Sequence, residues 1–207
     1  MDKNKIFSKN ILFLTKAIKS QFKTSTVELT EPIDPENVWC RINSNEWGKD
    51  EEIRALLALV MFSGLRLKNA LELEFENCKV SNKTLRLINF EDKSTRLQRA
   101  GKRNKTVMNY YEEYEFADEL YNDLMAYCTN GNGKLFKKSA SFYRKTTEIC
   151  FHGLRVTLAV QLCIKKIQDS EILRYMGWSD SSSLQRYTKG FDSLNNKSSV
   201  KEIFSYQ

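Results

Sequence analysis

The chain contains a single histidine, His152, which stands three residues before Arg155 in the stretch FHGLR. A spacing of three brings two side chains to one face of a helix, so both can reach the same ligand. Histidine exchanges protons near neutral pH, and arginine donates paired hydrogen bonds to phosphate oxygens. The ordinary alternative is a helix-start histidine beside an unrelated arginine, and other residues are needed to choose between the two.

Several common motifs are absent from the sequence. It has no G-x-x-x-x-G-K-[ST], no G-x-G-x-x-G, no H-E-x-x-H and no C-x-x-C, which argues against the usual nucleotide-binding loops and zinc sites. The acidic residues lie mostly on predicted helix faces such as EEYEFADELYND, and they do not form a metal-ligand pattern. If the chain acts on phosphates, we expect it to work without a metal and without any other cofactor.

Phosphoryl transfer without a metal needs fixed cations around the phosphate, a nucleophile, and a proton donor for the leaving oxygen. Arginine suits the first task and lysine or histidine the proton work, while tyrosine suits the nucleophile when a covalent intermediate must conserve the bond energy. The chain offers these groups in a fixed order: Arg66 in SGLRLKNAL, Lys93 and Lys102 in a cation-rich stretch, His152 and Arg155 in HGLR, Trp178 in MGW, and Tyr187 in LQRYTKG.

This series resembles the catalytic domain of the tyrosine recombinases, the integrase family that shares its active site with type IB topoisomerases. That family carries an arginine after a helix-ending Gly-Leu, a lysine in a β-hairpin, H-x-x-R, then a His or Trp, and a tyrosine nine residues further on. Here Trp178 lies 23 residues after Arg155, and Tyr187 lies nine after Trp178. The resemblance predicts a catalytic domain over residues 28–207, preceded by an N-terminal helix and linker at residues 1–27.

The resemblance also implies a role for each residue. Tyr187 would be the nucleophile of a 3′-phosphotyrosyl intermediate, with Arg66 and Arg155 stabilising the phosphate. His152 would act as a proton acceptor or supporting donor near the tyrosine, and the indole N–H of Trp178 would hold a non-bridging oxygen. Taken singly, each of these residues has an ordinary interpretation as a surface, capping or core residue, and the ordered set favours the catalytic one.

The hairpin lysine is open between two positions. Lys93 follows the second predicted strand in LRLINFEDK, and Lys102 lies in AGKRNK, which looks like the G-K-x-x-K hairpin frequent in the family. We favour Lys93, with Lys102 as the alternative. From Lys93 to Lys105 the chain has six cations and no carboxylate, so contact with a phosphate backbone is expected. The DNA-binding candidates are Arg96, Arg99, Lys102, Arg103 and Lys105.

Two features depart from the family pattern. Asn69 stands three residues after Arg66, where most members have a glutamate thought to support the arginine, so the supporting geometry is expected to differ. The family's usual DNA-clamping N-terminal domain is also absent from this sequence. Two explanations stay open: the amphipathic helix predicted at residues 5–22 would be its last remnant, or the chain would be an excised catalytic domain.

The predicted elements place these residues in an α+β fold that is mostly helical, with a small three-stranded antiparallel sheet. An apolar helix at residues 48–64 ends at Gly64, which puts Arg66 at the junction with a short second helix. Asn82 is in the middle of a predicted tight turn between the first two strands. The other expected elements are a helix at 35–42, strands at 77–80, 84–90 and 105–111, and helices from residue 113 onward, broken at TNGNGK, FHG, GWSDSS and KGFDSLNNK.

Composition indicates the setting of the protein. The chain has 33 Lys+Arg against 26 Asp+Glu, a net charge of +7, which favours a polyanionic partner. Its five scattered cysteines are expected to be reduced thiols. No apolar stretch is long enough to span a membrane, and no signal peptide is evident, so we expect no membrane partner and a cytoplasmic location. A composition rich in Lys, Asn and Ile hints at an AT-rich genome such as that of a virus or mobile element.

The expected partner is double-stranded DNA, on which family members assemble as tetramers. The tail at residues 194–207 is a candidate for docking onto a neighbouring protomer, or for packing on its own core. Two other functions stay open at this point. One is relaxation of a single duplex in the manner of a type IB topoisomerase, and the other is a non-catalytic basic module that only binds DNA.

Overall fold

A computed structural model of the protein describes residues 32–91, 101–129, 131–179, 181–182 and 184–185. The predictions at 5–22 and 194–207, and those for Lys93, Arg96, Arg99 and Tyr187, lie outside the described residues. The described part contains seven α-helices, two 3-10 helices and one three-stranded antiparallel sheet. The predicted α+β, mostly helical class is therefore confirmed.

The first described helix, α1 (Pro35–Ser44), begins as predicted. Asp34 caps it by accepting a hydrogen bond from the backbone N–H of Glu36, and the fixed φ of Pro35 suits the first turn. The residues just before α1 are tied to the centre of the fold, because the hydroxyl of Thr157 accepts from the N–H of Ile33 at 2.7 Å and lies 2.8 Å from the carbonyl oxygen of the same residue. A 3-10 helix, Glu46–Lys49, follows α1.

Helix α2 (Glu51–Ser63) forms the centre of the core. Asp50 caps its start, and every residue from 55 to 63 is buried. It stops at Gly64, whose φ of +62° is left-handed. A side chain at this position would also clash, since a Cβ would lie 2.9 Å from Cδ2 of Leu158 and 3.0 Å from Sδ of Met176. The predicted central helix and its glycine stop are both confirmed.

The sheet follows a short helix, α3 (Leu67–Ala70), and a 3-10 helix, Phe75–Asn77. Its strands β1 (Cys78–Ser81), β2 (Thr84–Phe90) and β3 (Arg103–Val107) pair in the order β1-β2-β3. Asn82 and Lys83 connect β1 to β2 with φ of 49° and 55°, the conformation that two-residue hairpin turns require. The predicted tight turn is therefore confirmed.

Strand β3 lies earlier in the chain than predicted. It covers residues 103–107, whereas the alternating pattern of KTVMNYY indicated 105–111. After Val107 the chain turns, and the side chain of Asn109 accepts a hydrogen bond from the N–H of Tyr111 at 2.9 Å. The ring of Tyr111 is fully buried and lies edge-on to Phe62 at 5.8 Å. The apolar alternation continued past the strand because this tyrosine packs into the helical core.

Four further helices complete the described part: α4 (Ala117–Thr129), α5 (Ala140–Thr147), α6 (Phe151–Ile164) and α7 (Asp169–Met176). The predicted break at FHG was wrong by a few residues. Helix α5 ends at Glu148, which has a φ of +52°, and Cys150 caps α6 by accepting from the N–H of Gly153 at 3.4 Å. FHG is consequently the first turn of α6, which is buried from Gly153 to Leu162.

The core forms where α2 crosses α4 and α6, with the inner face of the sheet and α7 closing its sides. Leu85 and Leu87 of β2 point into it, and the hydroxyl of Tyr121 donates to the carbonyl of Val107 at 2.8 Å. Among the described helices, no single one has the length and apolar composition to cross a membrane. Only α5 and α6 taken together do, with a bend of 78° between them.

Candidate functional site

Arg66 owes its position to the glycine that ends α2. It stands two residues after Gly64, with an extended backbone (φ −68°, ψ 142°), and is the residue from which α3 starts. The left-handed glycine turns the chain off the axis of α2, so Arg66 leaves the buried face of that helix. Its side chain is half-buried, and no hydrogen bond or ion pair joins it to another described residue.

Arg155 lies in the second turn of α6 and is buried, with 3% of its surface exposed. Its Nη1 donates to the carbonyl of Gly64, and its Nη2 donates to the carbonyl of Met176. One side chain thus connects the end of α2 with the end of α7. Hydrogen bonds from a charged donor typically stabilise a fold by about 1.5–3 kcal/mol, so Arg155 fixes the two helix ends while carrying a positive charge between them.

His152 lies one turn before Arg155 on α6 and is exposed. Neighbouring atoms still remove part of its hydration, and this desolvation is the largest cause lowering the pKa of His152 below its ordinary 6.5. The positive charges of Arg155 and then Arg66 lower that pKa further. Because Arg155 bonds the carbonyl of Gly64, two residues before Arg66, the structure brings Arg66 close to the pair His152 and Arg155, although it is far from them in sequence.

Trp178 is positioned in the same way as Arg66. Gly177, with a φ of +64°, ends α7, and the backbone N–H of Trp178 closes the helix end by donating to the carbonyl of Leu173 at 2.9 Å. The half-buried indole packs on the core, and the guanidinium carbon of Arg155 lies 5.5 Å from its ring centre. Arg66 and Trp178 thus each follow a left-handed glycine at the end of a core helix.

Of the two candidate lysines, only Lys102 lies in the described part. It is exposed, directly before β3, and it lines a cleft of about 300 Å³ together with Asn69. Asn69 is one turn beyond Arg66 in α3 and is 7% exposed. Lys102 and the short helix that follows Arg66 therefore line the same cleft. The choice between Lys93 and Lys102 stays a prediction.

Two of the expected DNA-binding cations donate hydrogen bonds to backbone carbonyls. Arg103, half-buried, donates through Nη2 to the carbonyl of Arg174. Lys105 is only 7% exposed, and its ammonium donates to the carbonyls of Ser63 and Tyr175. The structure places Lys105 in a strand and buried, where an exposed loop was expected. The DNA-binding roles of Lys105 and Arg103 stay predictions.

The sequence held a signal for this placement. Residues two apart in a strand share a face, and Lys105 is two residues before Val107, which is fully buried. The cation-rich character of the stretch hid the inward position. Among the described His, Cys, Asp and Glu side chains, no group of three or more is arranged to hold a metal ion.

A core built around a long buried helix, a three-stranded sheet, and two arginines and a histidine meeting at helix ends defines a class of domain. The sequence pattern of the phage integrase family matches residues 41–193, about three-quarters of the 207 residues. The chain therefore belongs to the phage integrase family, the tyrosine recombinases. A search of curated proteins finds no sequence relative.

Solved structures with a similar fold include the XerH site-specific recombinase bound to palindromic difH substrate, at a TM-score of 0.57 and 15% identity over 87% of this chain and 56% of that one. The catalytic domain of bacteriophage HP1 integrase matches at 0.52 and 16%, over 84% and 99%. The Tn1549 transposon integrase with circular intermediate DNA matches at 0.52 and 14%, over 86% and 68%. These likenesses establish the fold, and the chain spans little more than half of the XerH chain.

Proposed function

We propose that this chain is a site-specific DNA recombinase or integrase, which cleaves and rejoins duplex DNA through a 3′-phosphotyrosyl intermediate without metal or ATP. The observation that carries the proposal is the meeting of Arg66, His152 and Arg155 at the ends of two core helices. Arg155 bonds the carbonyl of Gly64, two residues before Arg66, and lies one turn after His152. Desolvation lowers the pKa of His152, and the positive charges of Arg155 and Arg66 lower it further. Cationic donors fixed in advance around a phosphate are what metal-free phosphoryl transfer needs.

The states of the tyrosines support Tyr187 as the nucleophile. Seven of the nine tyrosines lie in the described part, and desolvation raises the pKa of every one of them: Tyr110, Tyr111, Tyr114, Tyr121, Tyr127, Tyr143 and Tyr175. A buried phenol with a raised pKa is a poor nucleophile. The two remaining tyrosines are Tyr187, nine residues after Trp178, and Tyr206.

In the proposed reaction the phenolic oxygen of Tyr187 attacks the scissile phosphorus. A phosphotyrosyl ester forms as the bond to the 5′-oxygen breaks. An unperturbed tyrosine has a pKa of about 10, so the phenol must lose its proton during attack. The lowered pKa of His152 favours its neutral form, which can accept that proton.

The remaining groups act on the phosphate and the leaving strand. Arg66 and Arg155 stabilise the negative charge on the non-bridging oxygens, and Trp178 donates its indole N–H to one of them. Lys93, or alternatively Lys102, protonates the leaving 5′-oxygen. Attack by a 5′-hydroxyl on the phosphotyrosyl ester reverses every step and rejoins the DNA, which is why no nucleotide hydrolysis is required.

Exchange of strands between two duplexes requires four active sites, so we further propose a homotetramer assembled on double-stranded DNA. Cytoplasmic action in the host of a virus or mobile element is part of the same proposal. The solved XerH and Tn1549 structures are complexes with DNA, which supports duplex DNA as the partner of this chain.

The direct test is covalent trapping on DNA. A pool of nicked duplexes with a randomised centre is incubated with the protein, and any cleaved strand loses its short 5′-hydroxyl fragment, so rejoining fails. Protein linked to DNA is recovered after denaturation and sequenced to define the site. We expect a covalent product with the wild type and with the control Tyr206→Phe, and none with Tyr187→Phe. No product with the wild type, or an equal yield with Tyr187→Phe, contradicts the proposal.

The recovered site also separates recombination from the two rival functions. Two labelled duplexes carrying it should exchange strands, and the exchanged product should be lost in Tyr187→Phe. Relaxation of a supercoiled circle without exchange between two DNAs indicates a topoisomerase-like enzyme. Salt-dependent binding without any covalent product indicates a DNA-binding module.

The source of the proton for the leaving 5′-oxygen identifies the catalytic lysine. In Lys93→Met and Lys102→Met the variant lacking the general acid should cleave slowly, whereas the other keeps most of its rate. A duplex with sulfur in place of the scissile 5′-oxygen should restore that rate, because a thiolate leaves without being protonated. A slow variant that sulfur does not rescue has lost another role.

A further inference from the structure

We propose that Lys105 is a positioning residue of the active site. Together with Arg155, it fixes the C-terminal ends of α2 and α7 relative to each other and so places Arg66 and Trp178 around one phosphate. The proposal rests on the function proposed above for its catalytic consequence. Its geometric part stands on contacts within the described residues.

The two cations bridge the same two helix ends, one residue apart. Lys105 donates to the carbonyls of Ser63 and Tyr175, and Arg155 donates to the carbonyls of the next residue at each end, Gly64 and Met176. These carbonyls belong to last helical turns, where the partial negative charge of a helix favours a cation. Arg66 lies two residues after Gly64, and Trp178 lies two residues after Met176.

Further contacts hold Lys105 in place. Its ammonium lies 3.7 Å from the ring centre of Tyr175, within the range of a cation–π interaction. The hydroxyl of Tyr175 in turn donates to the carbonyl of Phe62 and accepts from the N–H of Met108, at 2.9 and 3.1 Å. Strand β3 and the ends of α2 and α7 are therefore joined at a single point, which Lys105 occupies.

Lys105 is 7% exposed and uses two of its three N–H donors on backbone carbonyls, so it serves the helix ends. Arg155 carries five N–H donors and can serve both the helix ends and a phosphate. Its loss would let the two ends shift, since Arg155 and the hydroxyl of Tyr175 would have to hold them without it. A displacement of about 1 Å in a catalytic group can cost about 100-fold in rate. The proposal thus predicts a loss in the chemical step, with binding of DNA largely retained.

The first measurement compares Lys105→Met with Lys83→Met, which removes the same charge from the exposed turn of the same sheet. At saturating DNA, we expect covalent product to form about 100-fold more slowly in Lys105→Met, with half-saturation close to that of Lys83→Met. Lys105→Arg, whose fork can reach both carbonyls, should recover most of the rate. Weaker binding with an unchanged saturated rate overturns the proposal in favour of a DNA contact, and equal loss in a folded Lys105→Arg overturns it as well.

The second measurement needs no DNA. Because the chain has one histidine, its ring protons give a single NMR titration that reports the positive potential at the site. If Lys105 holds Arg66 in place, the pKa of His152 should rise toward its ordinary value in Lys105→Met, as it should in Arg66→Ala, and stay at the wild-type value in Lys83→Met. A wild-type pKa in Lys105→Met overturns the positioning role even if no DNA substrate has been found.

A third variant covers the case in which Lys105→Met does not fold. Tyr175→Phe keeps the ring under the ammonium and removes only the hydroxyl that ties Phe62 and Met108. We expect a smaller loss of saturated rate and a shift of the His152 pKa in the same direction. If wild-type protein cleaves DNA and Tyr175→Phe matches it in both measurements, the positioning proposal fails while the recombinase proposal stands.

Discussion

Helix α2 meets cations at both ends, and the partners at the two ends differ. Near its start, Nε of Arg54 donates to a carboxylate oxygen of Asp123 at 3.1 Å. A carboxylate oxygen of Glu119 lies 3.5 Å from Nη2 of Arg54. The guanidinium also lies 5.4 Å from the ring centre of Trp39. At this end, two carboxylates on α4 compensate the positive charge of the arginine.

At its other end, α2 presents backbone carbonyls, and these accept hydrogen bonds from Lys105 and Arg155. A carbonyl holds a cation through its dipole and carries no formal charge to cancel it. Desolvation lowers the pKa of His152, and the positive charge of Arg155 lowers it further. A cation is thus fixed in two ways, by carboxylates that cancel its charge or by carbonyls that do not. In the proposed function, the carbonyl end is the one that receives a phosphate.

The largest expected difference between the two ends comes from removing the arginines. Arg155→Met should slow DNA cleavage by about 1,000-fold, because a charge-stabilising donor and a link between helix ends are lost together. It should also lower the free energy of unfolding by about 2 kcal/mol. Arg54→Met should cost about 1 kcal/mol, since its partners are partly exposed, with cleavage unchanged. Chemical denaturation measures the free energy of unfolding, and covalent trapping measures the rate of cleavage. An equal loss of cleavage in Arg155→Met and Arg54→Met would contradict a functional difference between the two ends of α2.

A substitution of Arg66 tests catalysis separately from stability at the carbonyl end of α2. Arg66→Ala should reduce the cleavage rate by about 100-fold while leaving the free energy of unfolding nearly unchanged, because no described residue bonds its side chain. Lys68→Ala is the matched control, since it removes an exposed charge from the same short helix. Covalent trapping under single-turnover conditions measures the cleavage rate, and a thermal melt measures the stability. A rate equal to that of Lys68→Ala would remove Arg66 from the site.

The glycine that ends α2 offers a test through stability. Gly64→Ala should lower the free energy of unfolding by about 2–3 kcal/mol, because left-handed strain of about 1 kcal/mol is joined by contacts of its Cβ with Leu158 and Met176. Gly133→Ala meets the same strain at a φ of +67° but has nothing within 4 Å, so about 1 kcal/mol is expected. Urea denaturation compares the two. Equal losses would show that the close approach at Gly64 contributes nothing.

The smallest effect is the dependence of stability on pH. The folded pKa of His152 is lowered, so the unfolded chain binds its proton more readily. This contribution is present above pH 6.5 and is lost as pH falls through the folded pKa. His152→Gln should remove this part of the acid sensitivity, as measured by denaturation between pH 5 and 7. An unchanged slope would mean that the site does not oppose protonation of His152.

The sequence allowed much of this carbonyl end to be predicted, for local reasons. A run of apolar residues ending at Gly64 specifies a buried helix with a left-handed stop, and the spacing of His152 and Arg155 specifies a shared face. Both features are set by residues a few positions apart. The relation of Arg66 to this pair needed the family resemblance, because 86 residues separate Arg66 from His152.

What could not be predicted depends on distant backbone atoms. The bridging role of Lys105 requires two carbonyls, 42 and 70 residues away along the chain, and a carbonyl leaves no trace in side-chain pattern. The start of α6 was misplaced for a related reason, because Phe151, His152 and Gly153 have the composition of a break. Cys150 caps the helix just before them, although cysteine is not among the favoured capping residues.

In the proposed mechanism, a phosphate is held at the ends of α2 and α7 and attacked by Tyr187. The most direct measurement is mass spectrometry of the trapped protein–DNA complex after digestion, which locates the modified residue. The proposed mechanism predicts a nucleotide linked through its 3′-phosphate to Tyr187, with no adduct in Tyr187→Phe. An adduct on any other residue, a 5′-phosphate linkage, or cleavage that leaves no adduct would contradict it.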